Sequence, residues 1–234
     1  MSSGYLFSIL HGTWLTFQVA LGSLAVAMVL GLMGAAAKLS PQTSLRWLGA
    51  SYSTLIRGVP DLVLMLLIFY GGQIGLNAAL EAMGSDSYID INPFIAGVWT
   101  IGFIYGAYMT ETFRGAILAI PKGQAEAGLA FGMSPARVFF TITLPQMVRL
   151  ALPGFTNNWL VLLKSTALVS LLGLKDLTYL AKQAGAAARG TIPNAPLVFM
   201  ALAALLYLVL SSISLIALRQ VERHYSMGVK RGNL

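Results

Sequence analysis

Lys164 stands about twelve residues into a long apolar stretch, and a charge at the centre of a membrane helix costs about 2.5–3.5 kcal/mol on insertion scales. An ionisable group held there is by default a candidate for a substrate path. In a helix, Asn157, Lys164 and Leu168 share one face with Asn158 and Ser165 alongside, a polar stripe suited to a cavity or a helix contact. The ammonium can bind a carboxylate, yet it would repel a cationic side chain. A structural lysine that bonds helix-end carbonyls or snorkels outward is the competing reading.

Two carboxylates border other apolar stretches. Pro60 at N1 and Asp61 at N2 fit the start of a helix, where the helix dipole favours a negative charge and Arg57 can pair with it. Glu111 precedes Arg114 by three residues, the spacing of an i,i+3 ion pair. Both carboxylates are expected near the inner mouth of a passage, where a departing cation would meet them.

Other chemistry is excluded. The dipeptide Gly-Lys does not occur, so there is no P-loop, and the strings H-E-x-x-H and G-x-S-x-G are absent as well. With no cysteine there is no disulfide framework, iron–sulfur cluster or thiolate zinc site. His11 and His224 are too far apart in sequence to suggest a metal centre. No catalytic, metal-binding or cofactor-binding residue is therefore expected. Any ATP and Mg that drive the protein must sit on another chain.

The elements that position these groups are membrane helices. Of the 234 residues 57% are hydrophobic and 10% charged, against about a quarter charged in soluble domains. Mean hydropathy is +0.75. Five stretches have the length and apolarity to span a bilayer: Thr13–Ala37, Leu62–Leu80, Pro93–Thr110, Leu152–Leu174 and Pro196–Leu218. Gly102 and Gly106, four apart in the third, suit close helix packing in a bundle. Ala35-Ala36-Ala37 looks like a leader cleavage site, but residues 1–12 hold no Lys or Arg and the apolar stretch is too long for a leader. The first helix is expected to be retained.

Basic residues orient the chain. Lys38, Arg46 and Arg57 lie in the 38–61 connection; Arg114, Lys122, Arg137 and Arg149 lie in 111–151; Arg219, Arg223, Lys230 and Arg231 follow the last span. These belong inside. The N-terminus and the 81–92 loop hold no basic residue, and that loop carries Glu81, Asp86 and Asp90, so both belong outside. The exceptions are Lys175, Lys182 and Arg189 in the 175–195 connection, which five spans put outside. The net charge of +7 thus marks membrane sidedness and points to no nucleic-acid partner.

The 111–151 connection is longer than a simple link and helical in composition. Gln124-Ala125-Glu126-Ala127 favours a helix, Gly132 breaks it, and Ser134-Pro135 offers an N-cap and N1 proline for the next. The expectation is helix, turn, helix on the inner face. No internal repeat or low-complexity segment is evident, so residues 1–234 read as one membrane domain.

Glu126-Ala127-Gly128, Gly132 and Ile142-x-Leu144-Pro145 resemble the EAA loop of bacterial ABC-importer permeases. The spacing fits throughout, and Gly128 stands where the pattern has its second Ala. Gly12-Thr13 with Thr16, Arg57-Gly58-Val59-Pro60, Glu111-x-x-Arg114-Gly115, Ile120-Pro121-Lys122-Gly123-Gln124 and Leu163-Lys164-Ser165-Thr166 resemble polar amino-acid permeases of the histidine permease HisMQ family. The run from Arg57 to Gly71 is similar to the Q subunits of histidine, lysine/arginine/ornithine, arginine and opine importers. The string Glu222-Arg223-x-Tyr225-Ser226-x-Gly228-Val229-Lys230 agrees.

The resemblance implies an all-α, five-span permease of the type I ABC-importer (MetI-like) fold in a bacterial inner membrane, N-terminus periplasmic and C-terminus cytoplasmic. It implies import of basic amino acids or opines by alternating access, with a periplasmic solute-binding protein and two ATP-binding subunits. Glu126, Ala127, Gly128, Gly132, Ile142, Leu144 and Pro145 would form the coupling loop that docks on the ATPase. A second, M-type permease chain would complete the pathway, with a homodimer as the alternative. Similar permeases with other substrates also carry Lys at 164, so it does not set specificity, whereas many carry an apolar residue at 61. Two competing functions remain: a permease for neutral amino acids such as glutamine, and a non-ABC membrane protein, which leaves the EAA spacing unexplained.

Overall fold

A computed structural model describes residues 2–85 and 87–226; Asp86, Gly228, Val229, Lys230 and Arg231 lie outside the described residues. Every regular element among them is helical: α1 Ser2–Leu39, α2 Thr43–Gly58, α3 Asp61–Ala82, α4 Pro93–Leu118, α5 Lys122–Ala130, α6 Pro135–Val138, α7 Leu144–Ser165, α8 Leu177–Ala187 and α9 Ala195–Ser226. A π-helical turn at Phe139–Thr143 joins α6 to α7, and a 3-10 turn at Thr166–Leu172 follows α7.

Among the described residues, four stretches are long and apolar enough to cross a membrane: Gly4–Leu39, Asp61–Ala82, Pro135–Leu172 and Ala195–Tyr225. The expected third span, Pro93–Thr110, lies in α4 and is less apolar than these. Its position explains why. α4 sits at the centre of the bundle, with Thr100, Ile101, Ile104, Tyr105, Met109 and Thr110 all buried, so its surface meets protein where the others meet lipid.

Glycines let α1 and α4 approach. A Cβ on Gly34 would lie 2.2 Å from Thr110 Oγ1, on Gly31 2.5 Å from Met109 Cβ, and on Gly102 2.5 Å from Val26 Cβ. Gly106 leaves room for Leu30 and the Tyr52 hydroxyl. A β-branched residue at Gly34 would push the two helices apart. Gly34→Val should destabilise the protein by about 1–3 kcal/mol or more, read as a lower melting temperature in detergent. Gly115→Ala, where a Cβ meets nothing within 4 Å, should leave melting unchanged or slightly raised by the gain in helix propensity.

Two stretches expected as connections are packed helices. Residues 38–61 contain α2, which climbs alongside α1 and α4: Gly49 abuts Lys38 and Gly34, and the Tyr52 hydroxyl donates to the Phe103 carbonyl at 2.6 Å. The Ser, Thr, Tyr and Arg residues of α2 lower its apolarity, and of the helix only Gly49 and Ser53 are buried. Residues 175–195 contain α8, which buries Leu177, Ala181 and Ala184 against Ile9, Ala195 and Phe199. Asp176 caps it, accepting from the Tyr179 N–H at 2.9 Å. Lys175, Lys182 and Arg189 all lie exposed, seven residues apart. Of the three basic residues that fit poorly as loop charges, Lys182 lies on the exposed side of α8, and Lys175 and Arg189 flank its two ends.

Boundaries also shift. α1 extends eleven residues before Thr13 because Ile9 and Tyr5 have α8 and Phe199 to pack on. The 111–151 connection shrinks, since α4 runs on to Leu118 and α7 starts at Leu144. The α-helical part of the fourth stretch ends at Ser165, and Gly173 closes the 3-10 turn at φ +84°.

Candidate functional site

The segment between α4 and α7 folds as helix, turn, helix. α5 ends in a Schellman motif: Gly132 takes φ +80°, its N–H donates to the Leu129 carbonyl at 2.9 Å, and the Met133 N–H donates to the Gly128 carbonyl at 3.1 Å. Ser134 then caps α6, its hydroxyl accepting from the Arg137 N–H at 3.3 Å, with Pro135 next. The chain turns back so that Gly128 is buried against Ile142 and Val138. A Cβ on Gly128 would meet Ile142 Cδ1 at 2.8 Å, and Gln124 bonds Gln146 across the same seam. The two halves of the motif are therefore one unit, which is why their separation in sequence is fixed.

Pro145 explains the π turn. It lacks the N–H that would bond the Thr141 carbonyl, and its ring crowds that carbonyl. The ladder widens instead, with the Leu144 N–H donating to Phe139. Glu126, Ala127, Gly132 and Pro145 are exposed, and Ile142 and Leu144 are half-buried. Phe131, at the C-cap of α5, is 90% exposed. The sequence pattern gives no weight to this residue, because it falls between the motif's fixed positions.

A second constellation surrounds the break between α2 and α3. Val59 and Pro60 are extended, so α2 stops at Gly58 and α3 starts anew at Asp61, with Pro60 as the N-cap and Asp61 one place earlier in the helix than expected. Proline forces that break, since it disfavours helical backbone in the residue before it. Asp61 Oδ2 accepts from the Tyr105 hydroxyl at 3.0 Å, and that hydroxyl lies 2.6 Å from Ser165 Oγ. The Arg57 guanidinium sits 5.5 Å over the ring of Tyr108, which stacks on Tyr105. Asp61 is thus level with the midpoint of α4, roughly 9 Å along the helix from Glu111 at 1.5 Å per residue. The expectation that it stands at the inner mouth is corrected here. The break starts a new helix halfway along α4, where the sequence suggested only the end of a connection.

The other expected residues fall apart from this cluster. Ser165 faces Tyr105, but Lys164 and Asn157 are exposed on α7, and Lys164 has no partner among the described residues. Asn158 turns to α4 and donates to Thr112 Oγ1 at 2.9 Å. Glu111 accepts from Arg114 Nε at 3.1 Å, as its spacing suggests, and also from Lys38, whose ammonium donates to Ser53 at 2.8 Å. Lys38 was legible only as an inside charge. In the fold it ties α1 to α2 and α4. Glu111→Gln leaves Lys38 without its charge partner and should cost about 1–3 kcal/mol. In a thermal melt, Lys38→Met combined with Glu111→Gln should lose less than the two single changes added together.

The family model for inner membrane components of binding-protein-dependent transport systems matches residues 27–227, a range that holds both the helix break and the loop. The chain belongs to this family. This permease is 51% identical over 234 residues to the histidine/lysine/arginine/ornithine transport system permease protein HisQ of Escherichia coli K12, covering 100% of both chains. It is 36% identical over 229 residues to the octopine transport system permease protein OccQ of Rhizobium radiobacter, covering 98% of this chain and 94% of that one. Among solved structures, an amino acid ABC transporter crystallised with histidines matches with a TM-score of 0.75 and 29% identity over 95% of this chain and 96% of that one. The inward-facing methionine transporter MetNI matches with a TM-score of 0.74 at 18% identity, over 97% and 100%, a likeness of fold. The permease is therefore a multi-pass inner-membrane transport subunit with the MetI-like fold. It works with a separate ATPase subunit and a binding protein, and hydrolyses no ATP itself.

Proposed function

We propose that this permease moves basic amino acids, arginine, histidine, ornithine or related opines, into the cell by alternating access. The reading rests on Asp61. A carboxylate placed at a helix break midway along α4, in a chain half identical over its length to a histidine/lysine/arginine/ornithine permease, suits a passing cation. Broken helices serve transporters because the two half-helix ends offer opposite partial charges. The carbonyl end of α2 and Asp61 would hold the cationic side chain, and the N–H end of α3 would hold the α-carboxylate. Glu111 and Asn157 belong to the proposed path as later contacts and Lys164 as one level with Asp61, with Asn157 and Lys164 on the face of α7 left open in this chain.

In this reading α4 is the fifth span, since its 26 residues extend about 39 Å. The N-terminus is periplasmic and the C-terminus cytoplasmic. A different, M-type permease chain completes the pathway, and Glu126, Ala127, Gly128, Gly132, Ile142, Leu144 and Pro145 shape the loop that meets one of two ATP-binding subunits. Uptake of labelled arginine in competition with histidine, ornithine and glutamine tests the substrate class. Inhibition by histidine and ornithine is expected; inhibition by glutamine alone would assign the permease to neutral amino acids instead.

A further inference from the structure

We propose that a cavity at the outer end of α3, bordered by Glu81 and Tyr88, is a receiving subsite for the cationic side-chain group of the cargo, the guanidinium of arginine or the ε-ammonium of lysine. The proposal rests on the basic-amino-acid reading and on the orientation given above. The cavity measures about 510 Å³, large enough for the end of an amino-acid side chain. Gln73, Asn77 and Glu81, four residues apart, form one polar stripe on an otherwise apolar helix. The first two serve the frame. Asn77 Oδ1 accepts from the Ile89 N–H at 2.8 Å and its amide donates to the Ile89 carbonyl at 3.0 Å, while Gln73 Oε1 accepts from the Ile91 N–H at 2.8 Å. These bonds pin the extended segment after the turn against α3 and hold Tyr88 at the rim.

Glu81 is left as the charged group of the lining, exposed and without a partner among the described residues. Tyr88 is 73% exposed, and Ser85 and Ser87 add hydroxyls. A carboxylate and an accessible aromatic ring lining one cavity make a receptor for a cation, by ion pairing and by attraction to the ring face. No basic residue occurs between positions 81 and 92 to compete for it. The same helix carries Asp61 at its other end, roughly 30 Å away at 1.5 Å per residue. One helix would thus present a carboxylate to the cation where it enters and another where the bundle breaks.

The test uses the complete importer in proteoliposomes with its binding protein, measuring uptake of arginine, lysine and histidine at pH 8, where an unperturbed imidazole is largely neutral. Glu81→Gln and Tyr88→Leu should each lower arginine and lysine uptake about fivefold, from one exposed ion pair or cation–π contact. Histidine uptake at pH 8 should change less than about twofold on the same basis, and Glu81→Asp and Tyr88→Phe should recover most of the loss. The binding-protein concentration that half-saturates ATP hydrolysis should not move. Unchanged arginine uptake overturns the subsite. Equal loss for all three substrates with a raised half-saturation also overturns it, since Glu81 would then be pairing with the binding protein. A wild-type importer that carries none of the three substrates refutes the substrate reading itself.

Discussion

Phe131→Asp is expected to separate the permease from its ATP-binding partner. The side chain stands 90% exposed at the tip of a helical turn, with Leu129 at 48% on the same short helix. An aromatic ring in open water gains nothing for the fold, and with the exposed Leu129 two residues away it makes an apolar patch of the kind that marks a docking surface. Its backbone is also held rigidly. The Schellman bonds at Gly132 and Met133 and the Ser134 cap fix the backbone on either side, and burial of Gly128 on Ile142 fixes α5 to the start of α7. An aromatic side chain on a fixed backbone, entering a partner's cleft, is the kind of residue that dominates an interface. Truncating one costs about 2 kcal/mol or more, which is at least about a 30-fold loss of affinity, and a buried carboxylate costs further. Co-purification of the ATPase with tagged permease, and stimulation of ATP hydrolysis by the loaded binding protein, should both fall. Phe131→Leu should keep most of both. Because the ring touches so little of its own chain, the melting temperature of the permease should not change. Assembly and stimulation at wild-type levels in Phe131→Asp would remove this loop from the coupling route.

The loop was legible because its signals are local. A helix former, a glycine that must take positive φ, a serine and a proline follow one another in order, and each acts within four residues of itself. The long apolar stretches were legible for a similar reason, since their lipid-facing sides are written in composition. What could not be read depends on contacts across the chain. α2 is rich in Ser, Thr, Tyr and Arg, and α4 is packed inside the bundle, so hydropathy understates the first and leaves the second outside the most apolar stretches. Tyr105 gives no sign in sequence that it joins Asp61 to Ser165, residues 44 and 60 positions away. The same holds for Lys38, which counts as one more inside charge until the fold sets it beside Glu111, 73 positions on. Asp61 is recognisable in sequence as a helix start, because proline and a first-turn carboxylate are local signals too. The depth of that helix start comes from tertiary packing.

Asp61→Asn should reduce uptake of arginine and lysine far more than uptake of neutral histidine at pH 8. The change is nearly isosteric, and an asparagine Oδ1 can still accept from the Tyr105 hydroxyl, which keeps the link to Ser165. Only the negative charge is removed. If a cationic side chain pairs with this carboxylate while it passes, the lost charge-assisted hydrogen bond is worth about 1.5–3 kcal/mol, or roughly 10- to 150-fold in rate. The loss must appear in translocation alone. Cargo recognition by the binding protein occurs on another chain, so stimulation of ATP hydrolysis by loaded binding protein should persist, leaving hydrolysis uncoupled from uptake. The competing reading makes Asp61 a structural residue, a carboxylate in the first turn of α3 that the helix dipole favours by about 0.3–1 kcal/mol. Such a structural role is blind to the cargo. It would lower expression or uptake of cationic and neutral substrates alike, and Asp61→Ser would restore function as well as Asp61→Glu does. Restoration by Glu alone, confined to cationic substrates, would place the charge on the path.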